Sequence, residues 1–148
     1  MTPTASPSET SDIPEAARKQ TPAGAEAFLE YYMLQVNVAW TEPDASAIDR
    51  LGTAECQFCN RTVEAAEYFV ANDERYKSDP VTVLSVENFG GAPSGEQYVA
   101  LSYRQNAADI IDAEGKVLRS DPQADVKGNA AVKWTADGWR LRGIEDAG

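Results

Sequence analysis

Thr21-Pro22-Ala23-Gly24-Ala25-Glu26-Ala27-Phe28-Leu29-Glu30-Tyr31-Tyr32-Met33-Leu34-Gln35-Val36-Asn37-Val38-Ala39-Trp40 is the stretch whose reading decides the architecture of this chain. A cap residue followed by proline at the first helical position opens a helix. Ala25, Leu29, Tyr32, Val36 and Ala39 recur on one apolar stripe, and Phe28, Tyr31, Leu34 and Val38 widen it. Only Glu26, Glu30 and Asn37 mark a wet side. Glu30, Gln35 and Asn37 also interrupt the run, so it falls short of the ~18 apolar residues of a membrane span. A soluble helix this apolar needs a broad cover, and a sheet supplies one.

Downstream residues provide that sheet. Thr41-Glu42-Pro43-Asp44 ends the first helix, and 44–51 reads as a short second helix with Gly52 as its C-terminal cap. A third helix is expected over 54–72, capped by Thr53. Along it Cys56, Cys59, Val63, Ala66 and Val70 share a face, with Phe69 beside them. After Asp79-Pro80 the apolar period changes from 3.6 to 2, and strands are expected at 81–89, 97–105, 108–112, 116–118, 128–134 and 139–144. Asp112-Ala113-Glu114-Gly115 and Thr135-Ala136-Asp137-Gly138 are hairpin turns, and 121–125 reads as a loop. Tyr98 has the opposite parity to Val99 and Tyr103, which places it on the sheet's outer face.

Three N-terminal helices followed by a curved antiparallel sheet is an α+β pattern. With the first helix across its concave face, the sheet forms a cone with a pocket at its open end, the nuclear transport factor 2-like or cystatin-like arrangement. Residues 21–148 are expected to form this single domain. Residues 1–20 are rich in Ser, Thr and Pro and poor in apolar groups, which predicts a disordered tether.

Gly24-Ala25-Glu26-Ala27-Phe28, Tyr31-Tyr32, Asn37-Val38-Ala39, Cys56-x-x-Cys59 and Asp137-Gly138-Trp139-Arg140 follow one another in an order that resembles an actinobacterial family of lipoproteins of unknown function. The resemblance covers roughly residues 15–145. It implies an exported, lipid-anchored domain of the cell envelope and brings no catalytic residues with it. The start Met1-Thr2-Pro3-Thr4-Ala5 shows neither a basic, apolar leader nor a lipobox. Export therefore requires Met1 to stand where the mature N-terminus of a longer protein would lie. The plain alternative is a cytoplasmic tail.

Composition narrows function further. The 148 residues carry 24 acidic and 13 basic groups, a net charge of −11. Such a surface repels phosphate backbones and anionic headgroups, so nucleic acid is not an expected partner, and a membrane is expected only through an N-terminal anchor. The chain has no histidine, which removes Ser-His-Asp and Cys-His catalysis and histidine-based metal sites.

Cys56 and Cys59 are the only cysteines, and with no third one or histidine a four-ligand metal site is not expected. Their i, i+3 spacing allows a disulfide. A structural bond is preferred over a redox site, since no strand precedes the Cys-x-x-Cys. No catalytic residue, metal or cofactor is expected. Tyr31, Tyr32, Tyr103, Trp134 and Trp139 are candidates to line the cone's pocket.

The leading expectation is a non-enzymatic envelope domain that binds a protein partner or a small apolar ligand, with the sheet as a candidate homodimer face. The alternatives are a small isomerase or dehydratase, pairing Tyr31 or Tyr32 with Asp109 or Glu87, and a dithiol redox accessory.

Overall fold

The computed structural model describes residues 13–147. Its two α-helices are α1 (Pro22–Thr41) and α2 (Gln57–Asn72). Seven strands follow or flank them: β1 (Arg75–Tyr76), β2 (Val81–Gly91), β3 (Glu96–Gln105), β4 (Ala108–Ile111), β5 (Val117–Asp121), β6 (Ala124–Thr135) and β7 (Gly138–Asp146). The larger sheet runs β2-β3-β6-β7 and the smaller one β1-β4-β5. All strand pairs are antiparallel. β3 continues into β4 and β5 into β6, with Gln105 opposite Ala124 and Ala108 opposite Asp121. The two sheets are thus joined by one long hairpin ribbon, β3-β4 against β5-β6, bent at residues 106–107 and 122–123.

α1 begins as its sequence predicts, with the Thr21 hydroxyl accepting the Gly24 N–H at 2.9 Å. Gly24 has a reason to be glycine: a Cβ there would lie 2.0 Å from the Lys19 carbonyl oxygen. The helix packs on the inner face of the larger sheet, where Phe28, Leu29, Tyr32 and Val36 meet Val99, Leu101, Val132 and Leu141 in one core. Burying each large side chain there is worth roughly 1.5–3 kcal/mol. Of the polar residues expected on the wet side of α1, Glu30 is exposed, whereas Glu26 and Asn37 turn toward the sheet. Asn37 is buried: its amide donates to the Val81 carbonyl and accepts the Val81 N–H, both at 2.9 Å. Eleven residues earlier, three helical turns away, the Glu26 carboxylate accepts the Asn88 N–H at 2.6 Å. These two side chains clamp the free edge of β2. Beside Glu30, the solvent side of α1 carries Leu34 and Val38, which are 50% and 42% exposed.

The expected second helix is absent, so the helices number two rather than three among the described residues. Asp44 caps a 3₁₀ turn at Ala45–Ala47 through the Ser46 N–H. A segment this short does not repay helix nucleation, and it serves instead to drive Ile48 and Leu51 into the core. Gly52 is not a helix cap. It forms a lone parallel bridge to Leu141, and its missing Cβ would sit 2.4 Å from the Cys59 sulfur. Thr53 does not cap α2 either: its N–H bonds the Leu141 carbonyl, and its buried hydroxyl has no hydrogen-bond partner among the described residues. The cap is Cys56, whose sulfur accepts the Cys59 N–H.

The buried face of α2 is Cys59, Thr62, Ala66 and Phe69. It is rotated from the expected stripe, which leaves Val70 53% exposed. The hidden hydroxyl is satisfied, since Thr62 donates to the Cys59 carbonyl at 2.8 Å. Its single proton is then committed, so Tyr32 is the donor in the 3.0 Å bond between the two hydroxyls.

The ordered domain starts before residue 21. Ile13 and Ala17 are 5% and 1% exposed in the main core, around a 3₁₀ turn at Glu15–Arg18. The Trp139 indole donates to the Lys19 carbonyl at 2.7 Å. Of the tether expected over 1–20, residues 1–12 lie outside the described residues. Residues 13–20 belong to the fold because the apolar Ile13 and Ala17 find room against α1.

Candidate functional site

A cavity of about 260 Å³ opens between α1, α2 and the bend of the ribbon. Met33 and Trp40 come from α1. Phe58, Arg61, Thr62 and Ala65 come from the first half of α2. Tyr76, Pro80, Val81, Tyr103 and Gln105 complete the wall from the strands, with Val81 directly opposite Gln105 in the sheet. Two aromatic arrangements stiffen the walls. Trp40 stacks on Tyr76 at 5.8 Å between ring centres, and Tyr32 stands 6.3 Å from Phe58 just behind the wall. The placing of Phe58 depends on Cys56 and Cys59, which are bonded to each other, are 0% and 4% exposed, and hold the first turn of α2 beside β7.

Most polar atoms of the wall are occupied. The Trp40 indole donates to the Thr62 carbonyl at 3.1 Å. The Tyr76 hydroxyl donates to Asp121 in a short bond, and Gln105 reaches the same carboxylate oxygen at 3.5 Å. Burial first, then that bond and the Asp121 charge, push the Tyr76 phenol well above its ordinary range, with Arg119 pulling the other way. Burial likewise pushes Tyr32 up to about 12, partly offset by Thr62.

Tyr103 and Arg61 differ. Burial raises the Tyr103 phenol while the nearby Arg61 charge lowers it. Among the described residues neither the Tyr103 hydroxyl nor the Arg61 guanidinium bonds another side chain or the backbone.

Of the five residues expected to line the pocket, Tyr103 lines this cavity. Tyr32 is one layer behind it, and Tyr31 packs against the main core from its half-buried side. Trp134 and Trp139 meet edge to face at 5.1 Å and border a separate recess of about 270 Å³ with Ile13, Ala17 and Phe28. The expected carboxylate–tyrosine pairs are not brought together. Tyr32 bonds Thr62, Asp109 accepts from Ser120, and Glu87 is exposed on β2.

The pair that does form, Tyr76 with Asp121, escaped sequence reasoning because the two-residue strand β1 was not expected and Asp121 was read into a loop, whereas it ends β5. A second, open groove of about 540 Å³ shares Phe58 and Arg61 with the cavity and runs past Tyr98, Phe89 and Arg142. Phe89 and Tyr98 pair at 6.2 Å on the outer face where the alternation put Tyr98. No cluster of three or more potential metal-binding side chains occurs among the described residues, and no described helix is long and apolar enough to cross a membrane.

The match to a family model extends over residues 11–145, nearly the whole chain. The chain belongs to DUF6318, a family of unknown function. No curated protein matches it. Among solved structures, this family member is similar to the intermembrane space region of chloroplast protein ARC6, at 12% identity and a TM-score of 0.61, covering 87% of this chain and 99% of that one. That likeness shows a shared fold. The chain is also similar to an uncharacterised protein with a cystatin-like fold from Caulobacter vibrioides (13% identity, TM-score 0.49, 80% and 88% covered). A further similar structure is a protein of unknown function with a cystatin-like fold from Nostoc punctiforme (9%, 0.44, 84% and 90%).

Proposed function

We propose that this chain is an extracytoplasmic binding domain, lipid-anchored at an actinobacterial cell envelope, that holds a small, largely apolar ligand in its cone and performs no chemistry on it. The observation that carries the reading is the preformed cavity of about 260 Å³. Its walls are aromatic and aliphatic, with few polar atoms left to direct a ligand, as in many small-molecule sites. The bonded Cys56–Cys59 pair supports an oxidising compartment. A domain of the same fold in an intermembrane space is in keeping with it. The burial of both sulfurs speaks for a structural bond over an exchange site, which needs an exposed thiolate.

Native mass spectrometry of the protein recovered from the envelope fraction of its own host tests the reading. The expected result is a retained small ligand that is lost in Ala65→Trp, which fills the cavity from α2. Recovery from the cytosolic fraction at bare polypeptide mass in both forms would contradict it.

A second reading has one observation in its favour, the Tyr76–Asp121 pair beside the cavity. A carboxylate base with a tyrosine donor suits proton removal next to a carbonyl. Deuterium exchange into cyclohexenone, catalysed by the protein and abolished by Asp121→Asn, would favour this enzyme; the absence of exchange above the buffer rate would exclude it for that substrate class.

A further inference from the structure

The cavity wall combines apolar surface with two polar groups that define the ligand. The side chains of Met33, Trp40, Phe58 and Val81 offer apolar surface and one committed indole N–H. In the same wall are two donors that have no hydrogen-bond or ion-pair partner among the described residues, the Tyr103 hydroxyl and the Arg61 guanidinium.

Arg61 is notable in a chain of net charge −11. Arg104, Arg119 and Arg142 each hold a carboxylate, Asp125, Glu74 and Glu96 respectively, at 2.8–2.9 Å. Arg61 stands at the boundary between cavity and groove, so a group bound by it is reached from solvent while the rest of the ligand is covered. Guanidinium is the side chain best suited to take a carboxylate through two parallel N–H bonds. Resting on the binding reading above, we infer that the cavity takes an amphipathic carboxylate, with its head on Arg61 and Tyr103 and its apolar body against Met33, Trp40 and Phe58.

The size of the cavity sets the length. Drug-sized ligands occupy roughly 300–1,000 Å³, and this cavity lies just below that range. A monocarboxylate of about ten non-hydrogen atoms is the class that fits, such as a medium-chain fatty acid or an arylalkanoate. A long acyl chain overfills it.

The test is a titration of the folded chain with octanoate and with 1-octanol, followed by amide NMR shifts. These probes share one apolar body and differ in the head. Octanoate is expected to bind roughly tenfold more tightly than octanol, and the gap is expected to close in Arg61→Gln through loss of octanoate affinity alone. Arg61→Lys retains part of the preference, and Tyr103→Phe weakens octanoate a few-fold. Arg61 is exposed, so its variants keep the fold. Equal binding of both probes to the unaltered chain, or unchanged octanoate affinity in Arg61→Gln, overturns the carboxylate inference and leaves the binding reading intact. Failure of both probes to shift any resonance around the cavity overturns both.

Discussion

Asn37 and Tyr32 show how single polar side chains on α1 decide stability. Asn37 supplies both hydrogen bonds that the first residue of β2 lacks on its free edge. Asn37→Ala leaves a buried N–H and a buried carbonyl unpaired, at roughly 1–3 kcal/mol each. A loss of about 3 kcal/mol in urea unfolding is expected, and a loss below about 1 kcal/mol would show that water replaces the amide. Tyr32 gives a pH signature. Its folded pKa of about 12 lies above the ordinary 10.0, so the folded state binds the proton more tightly than the unfolded one. The associated stability is fully present below about pH 10 and is lost as pH rises toward 12. The raised Tyr76 phenol acts in the same direction. The unfolding midpoint should therefore fall steeply above about pH 10 and less steeply in Tyr32→Phe. An unchanged slope in that variant would assign the alkaline transition elsewhere.

At the scale of elements, the junction of Gly52, the Cys56–Cys59 bond and β7 carries the first turn of α2. Closing a four-residue loop removes little unfolded-state entropy, so replacing both cysteines with alanine should cost no more than about 2 kcal/mol. Gly52→Ala is the sharper probe, because its Cβ would meet the Cys59 sulfur at 2.4 Å and the Cys59 Cβ at 2.7 Å. A cost of about 2 kcal/mol is expected from the overpacking, partly relieved when Cys59→Ala removes the sulfur. Strict additivity in that double-mutant cycle would mean that the two residues do not press on each other.

These elements also show what the sequence could reveal. α1 was legible because its cap, its proline and its apolar stripe all agree, and the strands from Val81 onward were legible from their alternation. The rotated face of α2 was not. Thr62 is polar by type and Val70 apolar, and only a partner thirty residues away, Tyr32, makes the first belong inside. Asn37 was misread for the same reason, since its partner is a strand edge 44 residues on. Of the site, Tyr103 followed from strand parity. Trp40, Phe58, Arg61 and Tyr76 converge only once the ribbon bends, and the bend leaves no periodic trace in the chain.

For the molecule as a whole, the cavity between α1, α2 and the bent ribbon is the proposed ligand site. The chain contains two methionines, Met1 and Met33. Met33 lines the cavity, while Met1 lies outside the described residues. Methyl NMR of protein labelled at methionine therefore watches the site through a single resonance. On titration with octanoate, a saturable shift of the Met33 signal is expected, and loss of that shift in Ala65→Trp. A Met33 signal that stays in place throughout the titration, or one that drifts linearly without saturating, would contradict the proposed site.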